Sequence, residues 1–255
     1  MRYRTLKLEA MELIERTQRT SASSAAANEN GSPMRPWLVP TGLVVLALMP
    51  IAAGATRVVN LARGVAVNPE NARFFASPLP VVLHVIGATL FSVLGALQFA
   101  PSLRRQRWHR IAGRVTVPAG LVAALSGLWM AFVYPLPAGE NHALLKAFRL
   151  VLGASMVLAL VLGALSIRRR DFAAHRAWMM RSYAIGMGAG TQALVMVPWW
   201  LLFGKPSGIT YALLMGFGWG LNLVVAEQLI RLRGDAGRLP SYATCSDTRA
   251  RLPDS

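Results

Sequence analysis

Six long apolar runs, separated by short segments that hold most of the arginines, limit what this chain can fold into more than any other feature. The runs cover about residues 37–56, 79–101, 111–134, 143–167, 176–203 and 208–230. Each can cross ~30 Å of hydrocarbon as a helix that rises ~1.5 Å per residue. Membrane strands would alternate apolar and polar residues, and these runs do not. The sequence therefore predicts an all-α, polytopic membrane protein with six transmembrane helices, of which spans two to five form a four-helix core.

The basic residues indicate orientation. The formal net charge is +16, which in a soluble protein would suggest nucleic-acid binding. Here 54% of the residues are hydrophobic, only 15% are charged, and the arginines lie in short loops. Taken alternately, the segments between the spans hold 21 Lys and Arg residues on one side and five on the other, and the richer side is cytoplasmic. We therefore expect a bacterial inner-membrane protein with the lipid bilayer as its partner, no nucleic-acid partner, and both termini in the cytoplasm.

Two polar segments flank the membrane domain at 37–230. Residues 1–36 form an extension in which 3–19 could be a short amphipathic helix and 20–32 are of low complexity, which is typical of disorder. Residues 231–255 form a polar cytoplasmic tail. Two alternatives stay open at the N-terminal end: translation could begin at Met34, and Ala53-Gly54-Ala55 resembles a signal-peptidase site. Cleavage there would leave five spans.

The four histidines are the main candidates for chemistry. His84, His109, His142 and His175 each fall near the beginning of a different span, from the second to the fifth. The predicted topology places His84 and His142 toward the outer face, and His109 and His175 toward the inner face. Two imidazoles that face each other across a bundle are the ligands of a six-coordinate b-type haem. The sequence therefore predicts these four residues as haem-iron ligands and haem b as the cofactor.

Small residues follow three of these histidines at helical spacing. A haem between helices needs such residues on the ligand face, and positions four, seven, eleven and eighteen residues on share that face. They are Gly113, Thr116, Gly120 and Gly127 after His109; Met179, Ser182, Gly186 and Ala193 after His175; and Ala88, Phe91, Gly95 and Ser102 after His84. Glycine and alanine also line ordinary contacts between membrane helices, so the pattern has a packing explanation as well.

Arg149 lies about two turns beyond His142, within an apolar run. A charge in that position usually faces the bundle or water, which would make Arg149 a partner for a haem propionate or an anionic substrate. The alternative is that its side chain extends to the outer interface. The histidines have similar alternatives: His109 and His175 stand beside Trp108 and Trp178, a pattern that is also typical of headgroup contacts. Near the inner end of span six, Glu227 and Gln228 are expected to reach the interface or to cap.

Several kinds of chemistry lack their motifs. Cys245 is the single cysteine, so the chain has no internal disulfide and no cysteine cluster for zinc or iron–sulfur binding. The sequence holds no Gly-rich phosphate loop, no hydrolase or kinase motif and no paired carboxylates in the spans. We assign no catalytic residue. If the chain is an enzyme, it is a membrane oxidoreductase or an electron carrier.

Three motifs resemble a known family. They are Leu83-His84-Val-Ile-Gly87, Arg107-Trp-His109-Arg110-Ile-Ala-Gly113-Arg114 and His175-Arg176-Ala-Trp178-Met179-Met-Arg181-Ser182. Over about residues 75–205 the chain resembles bacterial membrane proteins grouped as domain of unknown function 2306. The resemblance implies a multi-helix membrane protein and no particular biochemistry. Its motifs include three of the four histidines but not His142.

The order of the histidines is also similar to that in cytochrome b-561, a six-helix, dihaem protein of transmembrane electron transfer. By that likeness His84 would pair with His142, and His109 with His175. Two functional hypotheses follow. The first is an electron-transfer membrane protein with one or two b-type haems, and the second is a haem-free scaffold or small-molecule permease whose histidines and arginines are interfacial.

Overall fold

The structure is a computed structural model that describes residues 37–100, 107–135 and 142–236, with residues 16 and 103 standing alone and side chains given as far as 233. The predicted amphipathic helix at 3–19, the low-complexity stretch at 20–32 and the tail beyond 236 lie outside these residues. Every regular element in the described ranges is helical, as the apolar runs predict. Within them, six segments are long and apolar enough to cross a membrane.

The described ranges contain eight helices. We number them in chain order as α1 (Leu38–Ala62), α2 (Ala72–Ala76), α3 (Pro78–Leu97), α4 (Arg107–Val133), α5 (Ala143–Arg168), α6 (Phe172–Gly186), α7 (Gly188–Phe203) and α8 (Gly208–Ala236). Local sequence explains several boundaries: Pro78 occupies the first turn of α3, and Asp171 Oδ1 accepts the backbone N–H of Ala174 at 2.9 Å to cap α6. Arg170 adopts a positive φ of 61° in the tight turn between α5 and α6.

Three features differ from the predicted spans. The fifth span is one segment, Phe172–Phe203, as expected, but the helix is interrupted at Met187, which separates α6 from α7. The short helix α2 was not expected. The first span continues six residues further than predicted, to Ala62, which places Arg57 within a helix rather than in a loop.

Helices α3 to α6 form the predicted four-helix core. Contacts run from α3 to α4, α4 to α5 and α5 to α6, and α6 also touches α3. Hence α3 and α5 lie diagonally across the core, as do α4 and α6. Helix α1 packs on α3 and α7, while α8 packs on α5, α6 and α7. The end at which α1, α4 and α7 finish is called the His84 end here, and the opposite end is called the His175 end.

Two aromatic rings, each packed against a glycine of the opposite helix, fill the middle of the core. The ring of Phe91 on α3 lies against Gly186 of α6, and the ring of Tyr183 on α6 lies against Gly95 of α3. The two ring centroids are 5.6 Å apart, and the Tyr183 hydroxyl donates to the backbone oxygen of Ser92 at 2.8 Å. This layer separates the two ends of the bundle.

A proline and a glycine bring α1 close to α7. Pro50 has no N–H, so the Leu46 carbonyl one turn earlier loses its usual helical partner. Gly190 of α7 lies against that carbonyl: a Cβ on Gly190 would be 2.5 Å from the Leu46 oxygen. Only a residue without a side chain allows this approach.

Asn222 of α8 stabilises the break between α6 and α7. Its Nδ2 donates to the Ala184 oxygen at 3.1 Å, and its Oδ1 accepts from the Thr191 hydroxyl at 2.7 Å. Ala184 belongs to the last turn of α6, where carbonyls lack intrahelical partners. One amide side chain therefore bridges both halves of the divided span in a region where no water satisfies such groups.

Candidate functional site

A cavity of about 490 Å³ opens at the His84 end of the bundle. Side chains from all eight helices line it, from Pro50 on α1 to Trp219 on α8. The volume falls within the ~300–1,000 Å³ that is typical of small-molecule sites. The layer that contains Phe91 and Met156 forms its floor, so the cavity occupies one half of the membrane domain rather than its full depth.

Three arginines give the cavity its charge. Arg57 from α1, Arg73 from α2 and Arg149 from α5 line it, and no Asp or Glu of the described residues does so. The guanidinium groups of Arg57 and Arg73 lie 4.4 Å and 4.8 Å from the centroid of the Phe74 ring. Arg73 also donates through Nη1 to the Pro135 oxygen at 3.1 Å. A lining with three cations and no carboxylate favours an anionic ligand.

Apolar side chains make up most of the remaining wall. Leu128, Leu152 and Met130 represent this surface, and Gln192 and Trp219 add polar groups near the break between α6 and α7. The Gln192 amide is engaged, because its Nε2 donates to the Met215 oxygen at 3.0 Å. The cavity therefore suits a ligand with an apolar body and an anionic group.

His84 is held in one tautomer. Its Nδ1 lies 2.8 Å from the backbone oxygen of Ala123 on α4. A carbonyl can only accept, so Nδ1 carries the hydrogen and Nε2 keeps the lone pair of the neutral ring. A Cβ on Gly127 would lie 3.2 Å from Cε1 of His84, so this glycine makes room for the imidazole. A histidine oriented through Nδ1 in this way has the arrangement common among metal ligands.

The predicted partner of His84 caps the start of its own helix. His142 lies on the diagonal helix α5, as expected, but it is the N-cap residue of that helix. Its Nδ1 accepts the backbone N–H of Leu144 at 3.2 Å, and His142 does not line the cavity. Arg149 does line the cavity. Of the two alternatives for this residue, its side chain therefore faces the bundle rather than the outer interface.

At the opposite end, His109 and His175 lie on the diagonal helices α4 and α6. Both are within helices, although the sequence placed them in loops before the spans. His175 repeats the arrangement of His84, because its Nδ1 lies 2.8 Å from the Gly163 oxygen of α5. In the neutral tautomer that this bond selects, Nε2 carries the lone pair, as in His84. No group of three or more His, Cys, Asp or Glu in the described ranges could hold a metal ion on its own.

The small-residue stripes are filled by protein side chains in the middle of the core. Gly120 lies against Phe91 and Leu160, Gly186 lies against Phe91, and Gly95 lies against Tyr183. Thr116 is buried and donates to the Ala112 oxygen of its own helix. The packing explanation therefore describes these positions, whereas Gly127 is the stripe residue that contacts a candidate ligand.

Sequence reasoning did not identify Arg57, Arg73 or Tyr134 as lining residues. Arg57 and Arg73 were counted among the loop charges, and only the extension of α1 and the fold of α2 bring them to the cavity. It also missed the partner of Glu227, which was expected to reach the interface or to cap. Glu227 accepts from Arg181 through both carboxylate oxygens, at 2.6 and 3.0 Å, and so ties α8 to α6.

Comparison with known families gives one match. The model of a family described as "Predicted membrane protein (DUF2306)" matches residues 81–230, which include all four histidines and Arg149. No curated protein and no solved structure matches the chain.

Proposed function

We propose that this chain, which belongs to the membrane protein family DUF2306, binds an amphipathic organic anion within its membrane domain, and that this anion is haem b. One observation carries the proposal: a single cavity combines an oriented imidazole, three arginines and an apolar wall. Haem has the matching features, namely an iron that binds imidazole, two carboxylates and an apolar macrocycle.

Each part of the cavity has a role in this proposal. The Nε2 of His84 would hold the iron, and Arg149 with Arg57 and Arg73 would pair with the propionates. The apolar wall would keep water from the macrocycle. Haem supplies reversible one-electron transfer when bound. In this proposal His142 has a supporting role: its imidazole caps the first turn of α5, the helix that carries Arg149.

A second haem belongs at the His175 end in the same proposal. His109 and His175 lie on diagonal helices there, and the hydrogen bond from His175 to Gly163 leaves Nε2 available. Two levels of imidazoles separated by the layer of Phe91 and Tyr183 would give an electron carrier across the membrane, resembling cytochrome b-561 in arrangement. The proposed orientation has both termini in the cytoplasm, which puts the His84 cavity on the outer side.

The second candidate function is a haem-free permease for a small organic anion. The observation that favours it is the divided helix beside the cavity. Ile185 and Gly186 lie at the end of α6, Ala189 lies in the first turn of α7, and all three line the cavity. Discontinuous membrane helices are typical of substrate sites in secondary transporters. Under this alternative the arginines bind a substrate carboxylate, and His84 is a hydrogen-bonding group.

Three related probes test the proposal in purified protein that carries His175→Gln, so that only the His84 cavity is measured. They are haem b, iron-free protoporphyrin and haem dimethyl ester, and the readout is the thermal unfolding midpoint. Haem b should raise the midpoint most, because protoporphyrin lacks the bond to His84 and the ester lacks the charges that meet the arginines.

Variants assign each effect to a residue. In His84→Gln, haem b should raise the thermal midpoint no more than protoporphyrin does. Haem b, with its free carboxylates, should still raise the midpoint more than haem dimethyl ester does. Arg149→Gln should reduce the advantage of the acid over the ester. Arg110→Gln, at the His175 end, is the matched control and should change neither. Equal shifts with all three probes would reject haem, and uptake of small carboxylates by proteoliposomes of the colourless protein would then favour the permease.

A further inference from the structure

A second, polar pocket adjoins the His84 cavity. Its volume is about 270 Å³, and α1, α2 and the segment between them line it. We call it the antechamber. Its lining side chains are mainly amides and other polar groups, namely Thr56, Asn60, Asn68, Glu70 and Asn71, with Leu61 and Phe75 beside them. It shares three lining residues with the cavity: Ala53, Arg57 and Phe74.

Phe74 forms the wall between the two spaces. Its side chain is buried, with only 7% of its surface exposed, although it lines both pockets. Arg57 and Arg73 cover the ring, and the edge of Tyr134 meets it with the centroids 5.6 Å apart and the planes at 78°. Moving this one ring would join the antechamber to the cavity.

The helix that carries Phe74 is short, and the Phe74 ring packs in a buried cluster with Val81 and Tyr134. Helix α2 has five residues and is preceded by a polar turn, in which Asn71 Oδ1 accepts from Asn68 N at 2.7 Å and Asn71 Nδ2 donates to the Ala66 oxygen. Short segments held by exposed hydrogen bonds open more readily than packed helices. The Tyr134 hydroxyl donates to the Ser77 oxygen just after α2, and burial raises the pKa of Tyr134, so this closing contact persists at neutral pH.

Charge shows what the antechamber would admit. Arg57 faces both spaces, whereas Glu70 faces the antechamber and lies 3.8 Å from Lys205, with both side chains largely exposed. An anionic group in the antechamber therefore contacts Arg57, whereas Arg73 and Arg149 line the cavity on the other side of the Phe74 ring. The side-chain NH2 groups of Asn60 and Asn68 are donors of the kind that carboxylate oxygens accept, whereas that of Asn71 already donates to the Ala66 oxygen.

We propose that the antechamber is the entry subsite for the carboxylate end of the cavity's ligand, and that Phe74 is the gate between them. Arg57 holds the anionic group at the gate and then lines its final site. This inference rests on the proposed function only in that the cavity takes an anionic ligand. It predicts entry from the aqueous side of the membrane rather than from the lipid.

Cysteine modification in proteoliposomes tests the route without any knowledge of the ligand. In a Cys245→Ser background, Ala88→Cys reports on the cavity, because Ala88 lines the cavity alone, and Asn60→Cys reports on the antechamber. An anionic, membrane-impermeant methanethiosulfonate is supplied on both faces. We expect rapid modification of Asn60→Cys and slow modification of Ala88→Cys.

Opening the gate should speed the slow reaction. Phe74→Ala should raise the modification rate of Ala88→Cys by about tenfold, because the reactive open state becomes more populated. Phe75→Ala is the matched control: Phe75 is on the same helix but lines only the antechamber, so the rate should not change. If Phe74→Ala lowers the thermal midpoint of the protein, Phe74→Leu replaces it, with a smaller increase expected.

Two results would overturn the inference. One is an Ala88→Cys rate that is the same with and without Phe74→Ala. The other is rapid modification of Ala88→Cys by a neutral, lipid-soluble maleimide together with no effect of the gate variants, which would indicate entry from the bilayer. Either result leaves the porphyrin measurements unaffected, so failure of the route and failure of the ligand assignment are distinguishable.

Discussion

At the scale of single residues, the chemistry of the cavity depends on which nitrogen of one imidazole carries a hydrogen. The Ala123 carbonyl fixes that choice for His84, and the Gly163 carbonyl fixes it for His175. Histidines that bind metal ions commonly have such a bond. Neither carbonyl could be inferred from the sequence, because each belongs to the neighbouring helix.

His142 shows the opposite case. The sequence placed it on the diagonal helix and at the right end, and both placements agree with the structure. Its position one residue before α5 nevertheless makes its side chain a cap, because the first N–H groups of a helix need acceptors. The periodicity of the apolar residues located the helix, but it did not determine how its first residue is used.

The approach of Gly190 to the Leu46 carbonyl gives a prediction about stability. Gly190→Ala should lower the free energy of unfolding by about 1–3 kcal/mol, because its Cβ would overlap backbone that is fixed by α1. Gly220→Ala is the matched control, since nothing lies within 4 Å of a Cβ there. Thermal unfolding in detergent measures both, and equal midpoints for the two variants would show that α1 and α7 are not in close contact.

At the scale of elements, the predicted helices agree with the structure except where tertiary contacts stabilise an irregularity. The break at Met187 lies in a run that is apolar throughout, so hydropathy alone indicates one helix. What stabilises the break is Asn222, 35 residues further along the chain. In the same way, α2 was not recognised, because its five residues are too few for a periodic pattern.

The contact between α6 and α8 can be tested with a double-mutant cycle. Arg181 and Glu227 form two hydrogen bonds, and their side chains are 29% and 37% exposed, so solvent weakens the pair. We expect Arg181→Gln and Glu227→Gln to show a coupling energy of up to about 1 kcal/mol in thermal unfolding. Strictly additive effects of the two substitutions would show that the pair does not join these helices.

At the scale of the whole molecule, the bundle has two unlike ends. The His84 end contains the cavity with Arg57, Arg73 and Arg149. The His175 end lies beside the Arg-rich turn between α5 and α6. The sequence predicted the four-helix core, the diagonal placement of the histidines and a cavity-facing option for Arg149. It could not predict the cavity itself, because eight helices contribute to its lining.

We propose that the His84 end faces outward, because the positive-inside rule favours a cytoplasmic position for the Arg-rich His175 end. In a Cys245→Ser background, Val67→Cys at the His84 end should react with an impermeant maleimide on intact cells, whereas Phe172→Cys at the His175 end should react only after permeabilisation. Both positions are exposed, at 62% and 61%, so access differs only through the membrane. The reverse pattern would place the termini outside.

The haem content of the purified protein tests the central claim most directly. The chain is expressed with a haem supply, purified in detergent, and examined by its reduced-minus-oxidised visible spectrum and its haem-to-protein ratio. We predict a sharp α-band with at least about one haem per chain. We also predict that His84→Gln loses the haem bound in the His84 cavity and that His142→Ala retains it. A colourless, folded protein would contradict the account, as would a haem content that is unchanged by His84→Gln.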